Sequence, residues 1–171
     1  MTATDPLVLD LLDHAKTHVW GKYAGTVTEI DDTTLRIKAK VPAVLGDQST
    51  GWCQPCVPYA GKGYGLALLP EKGCGVWIEF EGGDVSRPIW SGCYWRDGEL
   101  PEDAKPAVKV LATKGGAKIV IDDDEKTITI SDENDNEITI DSKGIKLAHK
   151  KMTIEIADSS VKINDTSLEV S

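Results

Sequence analysis

Seven aliphatic couplets fill the last third of the chain: Ile119/Ile121, Ile128/Ile130, Ile138/Ile140, Ile145/Leu147, Ile154/Ile156, Val161/Ile163 and Leu168/Val170. The members of each couplet stand two residues apart, so in a strand both face the same side. Polar turns such as Asp122-Asp123-Asp124-Glu125 and Asn134-Asp135-Asn136 separate them, and the pattern recurs every seven to ten residues. Repetition on that scale indicates a strand-and-turn fibre or solenoid. No aromatic residue follows Trp95, no proline follows Pro106 and no arginine follows Arg96. A core served only by Ile, Val, Leu and Ala is narrow.

As a lone chain, residues 107–171 would leave one face of a meander wet, and partly buried aliphatics do not offset the entropy of ordering the backbone. Three copies around one axis would bury every inward aliphatic, pair strand edges between chains and leave the charged alternates in water. The expected core of this homotrimer is the fourteen couplet residues. A monomeric β-solenoid fits less well, because its repeats run to about 20 residues per coil.

Upstream the text differs. From Lys22 to Trp95 short alternating runs are broken by turns, predicting strands at Tyr23 to Ile30, Thr34 to Lys40, Gly51 to Pro58, Gly75 to Glu81 and Pro88 to Tyr94. A glycine loop, Gly61-Lys62-Gly63-Tyr64-Gly65, interrupts them, and Gly82-Gly83-Asp84 joins the last two. Five short strands suit a small closed barrel, which has no exposed edges. Ahead of it, Val8, Leu11, Leu12, Ala15 and Val19 recur at helical spacing. Thr4 or Asp5 is the expected cap and Pro6 sits in the first turn, predicting a docking helix or barrel lid. The expected division is an all-β chain with helix 1–20, barrel 21–96, linker 97–106 and repeat 107–171.

The formal net charge of -9 argues against a nucleic-acid partner, whose phosphates are bound through Lys and Arg. The first residues lack a basic stretch and Leu7 to Leu12 is interrupted by Asp10, so no signal peptide is expected and synthesis in a cytosol follows.

Gly73-Cys74-Gly75-Val76-Trp77-Ile78-Glu79-Phe80-Glu81-Gly82-Gly83-Asp84-Val85-Ser86-Arg87-Pro88-Ile89-Trp90-Ser91-Gly92 resembles the last two barrel strands of the phage baseplate assembly protein V family and of the valine-glycine repeat (VgrG) spikes of type VI secretion. Pro58-Tyr59-Ala60-Gly61-Lys62-Gly63-Tyr64-Gly65 is similar to the glycine loop of that family. The resemblance implies an OB-fold barrel, an intertwined trimeric β-helix (β-prism), assembly in the bacterial cytoplasm, and a membrane-piercing role at a baseplate, driven by sheath contraction into the target envelope. The short segment Gly98 to Pro106 leaves no room for the muramidase domain of some relatives, and with only a helix before the barrel the hub is expected to be a separate protein. The pattern stops at Leu168, Glu169, Val170 and Ser171 while still reading as strand. That blunt platform is expected to carry a separate tip protein resembling the proline-alanine-alanine-arginine repeat (PAAR) cones.

Other chemistry is weighed against plain structure. Cys53, Cys56, Cys74 and Cys93 lack the two close pairs of a zinc site and read as reduced, small core residues. His14 and His18 are one helical turn apart without a third ligand. His149 shares parity with Ile145 and Leu147, so threefold symmetry could bring three imidazoles together around an axial metal or anion; otherwise no cofactor is expected. Glu79, Glu81 and Asp84 fit the solvent side of a hairpin better than a glycosidase pair. Trp52, Tyr59, Tyr64, Trp77, Trp90, Tyr94 and Trp95 lack basic companions and read as core or subunit contacts. No enzyme is expected. The rival functions are a single-strand nucleic-acid-binding barrel and a β-helical polysaccharide-active protein.

Overall fold

A computed structural model describes residues 5–164 and 168–170. The chain divides into two units, 1–98 and 99–171. No helix among the described residues is long and apolar enough to cross a membrane.

In the first unit, α1 spans Pro6–Thr17. Asp5 caps it by accepting the Leu7 N–H at 2.9 Å, and Pro6 occupies the first turn, where its missing N–H costs nothing. The helix ends earlier than the apolar stripe suggests, because His18 is extended. Val8, Leu11 and Leu12 are exposed, so α1 does not lid the barrel. Among the described residues of the stripe only Val19 packs on the core, tied there by its N–H to the Gly83 carbonyl at 2.9 Å.

The barrel strands are β1 (Tyr23–Asp31), β2 (Arg36–Lys40), β3 (Gln54–Pro55), β4 (Ala60–Gly61), β5 (Tyr64–Gly65), β6 (Gly75–Phe80) and β7 (Pro88–Tyr94), with a short helix α2 (Pro42–Leu45) after β2. The main sheet runs β2-β1-β6-β7-β3. Its two outer strands meet: Cys53, just before β3, donates its N–H to Ile37 of β2 at 2.8 Å, while Cys56, just after β3, donates to Trp90 of β7 at 2.9 Å. The sheet therefore curls shut around Val27, Ile37, Ala39, Val41, Cys53, Val76, Ile78, Phe80 and Trp90. The third strand is far shorter than expected, since most of 51–58 serves this closure. The second starts late because Asp31 accepts the Thr33 N–H and Leu35 takes a φ of 53°, extending the turn. The glycine loop is itself a hairpin, β4 with β5, and Gly61 lies against the Tyr64 ring where a Cβ would collide.

The second unit is one antiparallel meander of eight strands: β8 (Val108–Ala112), β9 (Lys118–Asp122), β10 (Thr127–Ser131), β11 (Asn136–Asp141), β12 (Gly144–His149), β13 (Met152–Ile156), β14 (Val161–Ile163) and β15 (Leu168–Val170). Consecutive strands pair within the chain, where the sequence pattern suggested that edges pair between chains. β8 precedes the first couplet and extends the sheet by one strand. Part of the expected linker belongs to this unit: Asp103 pairs with Lys118 at 2.7 Å, and Lys105 bridges to Val108.

Gly144 has a φ of 136° and its α-carbon faces the Ile156 carbonyl, leaving no room for a side chain. Gly144→Ala is expected to destabilise this unit by about 3 kcal/mol or more, whereas Gly115→Ala, in open space, should be near neutral; denaturant unfolding followed by circular dichroism checks the difference.

Candidate functional site

The couplets form two continuous ladders on one face of the meander. Ile119, Ile130, Ile138, Leu147, Ile154, Ile163 and Leu168 are successive cross-strand partners, as are Ile121, Ile128, Ile140, Ile145, Ile156, Val161 and Val170. Such direct neighbours have Cβ atoms about 5 Å apart, so each ladder is an unbroken aliphatic strip. Leu111 of β8 extends the first ladder, and Lys109 stands at the start of the second, paired with Asp123.

This face is open in the single chain. From Ile119 to Val161 every couplet residue is between 37% and 43% exposed, and Leu168 is 52% exposed. The opposite side carries the polar Thr127, Thr129, Ser131, Thr139, Lys146, Glu155 and Lys162, with Val110, Val120 and Ala148 among them. Covering one such isoleucine returns about 1–2 kcal/mol at ~25 cal/mol per Å². Strands β9 to β14 have backbone partners on both sides, so the unmet demand is for something apolar against the face. Of the expected tip platform, Leu168, Glu169 and Val170 form β15, the outermost strand, while Ser171 lies outside the described residues.

Register places His149 on the ladder face, opposite Asn136 on one side and Met152 on the other. It stands at the end of β12, beyond both ladders. Asn136 donates from Nδ2 to the Asp132 carboxylate at 2.8 Å, which turns its Oδ1 toward His149 Nδ1 at 2.7 Å. The imidazole therefore carries its hydrogen on Nδ1, leaving Nε2 as the atom through which it could hold a ligand. Asp132 also accepts the Asn134 N–H, and these bonds hold its carboxyl down at about 2. No three His, Cys, Asp or Glu side chains gather into a metal-sized cluster among the described residues.

The barrel candidates separate. Cys53 alone of the four cysteines is fully in the core, its thiol pushed up by burial; Cys74 is half-buried, and Cys56 and Cys93 are exposed. His18 stacks on Trp20 with ring centroids 6.0 Å apart and lies 3.7 Å from the His14 ring, and its Nδ1 meets the His14 carbonyl at 2.9 Å at the end of the helix. Glu79 pairs with Lys22 at 2.9 Å and Glu81 with Arg87 at 2.6 Å. Asp84 accepts from the Ser86 N–H and hydroxyl, which lowers its pKa. All three carboxylates are thus committed to ion pairs or a turn.

Among the expected core aromatics only Trp90 is buried, with no acceptor for its indole N–H. Trp52, Tyr59, Tyr64, Trp77 and Trp95 are exposed, which leaves the contact half of that reading. Sequence reasoning missed the groove that Tyr59 and Tyr64 line with Leu66 and Leu68. Its signal was the run Leu66-Ala67-Leu68-Leu69 beside the glycine loop.

Comparison with known proteins agrees with this geometry. Residues 23–95 match the type VI secretion system/phage-baseplate injector OB domain, and residues 108–169 match the phage baseplate V C-terminal trimerisation domain. The type VI secretion system spike protein VgrG4b of Pseudomonas aeruginosa is 34% identical over 76 residues, which cover 41% of this chain and 9% of that protein.

Ile138→Asp, which sets a charge in the middle of the apolar face, is expected to convert an assembled species into monomers by native mass spectrometry; Thr139→Asp, one residue along on the other face, should not. The Asp132 carboxyl stabilises its turn fully above the ordinary value of 3.8 and loses that contribution as pH falls through about 2. A carboxyl titration by NMR should place its midpoint near 2, and Asn136→Ala, which removes the largest cause, should raise it.

Proposed function

Since the chain belongs to the family of phage baseplate V and VgrG-type spikes, we propose that it is the structural central spike of a contractile tail or injection particle, mechanical rather than catalytic in its action. One observation carries the reading: two in-register aliphatic ladders lie open from Ile119 to Ile156 in a domain that matches a trimerisation module. Three copies that turn these faces inward form a rod with a dry aliphatic interior and a hydrophilic surface. Continuous hydrogen-bonded sheet along the axis makes such a rod stiff under compression, which piercing requires.

In this reading the OB barrel docks on a separate threefold hub, with α1 as an added anchor. Leu7, Val8, Leu9, Leu11 and Leu12 are 44% to 64% exposed on that helix, apolar surface that a partner would cover. In the second unit β15 has no neighbour on its outer side among the described residues, and a small PAAR-like tip protein seated there would cap the open edge. The target is a cell envelope met on contraction.

The rival readings have less to stand on. The exposed barrel aromatics bring few cations with them; Lys38, which lies 4.7 Å from the Trp52 ring, is already paired with Glu29. The carboxylates a glycan-cleaving site would need are those already engaged near the β6–β7 turn.

Native mass spectrometry of the purified chain should give three times 18.5 kDa; a monomer at micromolar concentration would sink the proposal. Leu11→Glu with Leu12→Glu should leave that mass unchanged while abolishing incorporation into particles seen by electron microscopy, and normal incorporation would remove α1 from the hub contact.

A further inference from the structure

The barrel carries an apolar surface that its own fold does not use. The β4–β5 hairpin and the extended residues that follow it enclose a groove of about 580 Å³, walled by Tyr59, Tyr64, Leu66 and Leu68 over a floor of Val57 and Trp90. Both tyrosines are 61% exposed and Leu68 is 56% exposed. The rings lie 5.4 Å apart and brace one another, so the wall is formed before anything binds. No charged side chain lines the groove. On a chain of net charge -9 it is therefore a place where two copies can approach without setting like charges face to face.

Covalent reach decides which partner is available. The first unit ends at Gly98, and Arg96 is held to the barrel through the Gly73 carbonyl at 3.1 Å and the Thr26 hydroxyl at 3.0 Å. The second unit is engaged from Asp103 onward through Lys118. The seven residue steps from Arg96 to Asp103 span at most about 25 Å when fully extended, less than the diameter of a domain of this size. Three barrels on such leashes, joined to one trimeric tail, are held at effective concentrations on the order of millimolar. At that concentration a contact with a Kd of about 1 mM is already half formed, and burying two tyrosines and two leucines readily supplies it.

We propose that this groove is a second interface of the homotrimer, in which the barrel of each copy seats against the neighbouring copy through Tyr59, Tyr64, Leu66 and Leu68. The contact is heterologous, the groove of one barrel meeting a different surface of the next, and it closes after three copies. It rests on the trimeric reading of the tail, but it gives the glycine-loop hairpin a role of its own, that of locking the barrels into a ring rather than leaving them loosely tethered.

Hydroxyl-radical footprinting of the full chain tests it. In the trimer, Tyr59, Tyr64, Leu66 and Leu68 should be oxidised at least threefold more slowly than in the Ile138→Asp monomer, whose barrel fold is checked by circular dichroism and tryptophan fluorescence. Leu66→Arg with Leu68→Arg should stay trimeric by native mass while Tyr59 and Tyr64 rise to the monomer rate. Equal oxidation in trimer and monomer overturns the proposal and leaves the groove to a different protein, with the tail reading intact. A wild-type chain that is monomeric by native mass overturns both.

Discussion

An aliphatic face on a single layer of sheet is the constraint from which the rest follows. Each interior strand of the tail satisfies its backbone hydrogen bonds with its neighbours in the same chain, so folding the meander solves the polar problem and leaves the apolar one untouched. A two-layer domain would solve it with a second sheet or a helix. This unit contains neither among the described residues, and its isoleucines from Ile119 to Ile156 remain about two-fifths exposed. Association of three such faces, as proposed, would complete the core, and a narrow interior shared by three sheets would leave no room for aromatics.

The barrel solves the same problem alone. Its edges meet through the segment around Cys53, and its nine core side chains are buried without help. What it exposes is different in kind: aromatic and leucine patches on loops and on α1, discrete rather than periodic. Periodic exposure suits self-association along a repeat, whereas discrete patches suit docking at particular places. The Val19–Gly83 hydrogen bond ties a residue just after α1 to the turn between the last two barrel strands, so the chain leaves α1 at a defined point on the barrel.

The periodic parts were legible in the sequence and the irregular parts were not. Period-two couplets marked every tail strand from β9 to β15, because alternate residues of a strand share one face. β8 was missed since Lys109 takes the place where its ladder partner would be aliphatic. The third barrel strand was overestimated because Gly51 to Pro58 has strand-like composition but closes the barrel by single bridges, a tertiary event with no local signature. Cysteines and aromatics were read as core by residue type. Burial of Cys53 and exposure of Cys56 depend on which side of β3 each falls, and one residue of phase decides that. The Asp132–Asn136–His149 chain spans a hairpin whose register had to be known first.

Aliphatic ladders alone leave one ambiguity, and the other face removes it. A slip of one residue between neighbouring strands would turn every isoleucine to water and is forbidden outright. A slip of two keeps isoleucine against isoleucine: Ile145 would face Ile154 as comfortably as it faces Ile156. On the polar side, however, Lys146, Glu155, Lys162 and Glu169 are successive partners, with Lys146 and Glu155 joined at 3.2 Å. A two-residue slip would set Lys146 against Thr153 or Ala157 and leave the charges unpaired. Exposed pairs of this kind add little stability, so their value lies in register. In the first repeat Lys118 is held instead by Asp103, and the alternating charges begin at β12, where the His149–Asn136 bond also ties neighbouring strands.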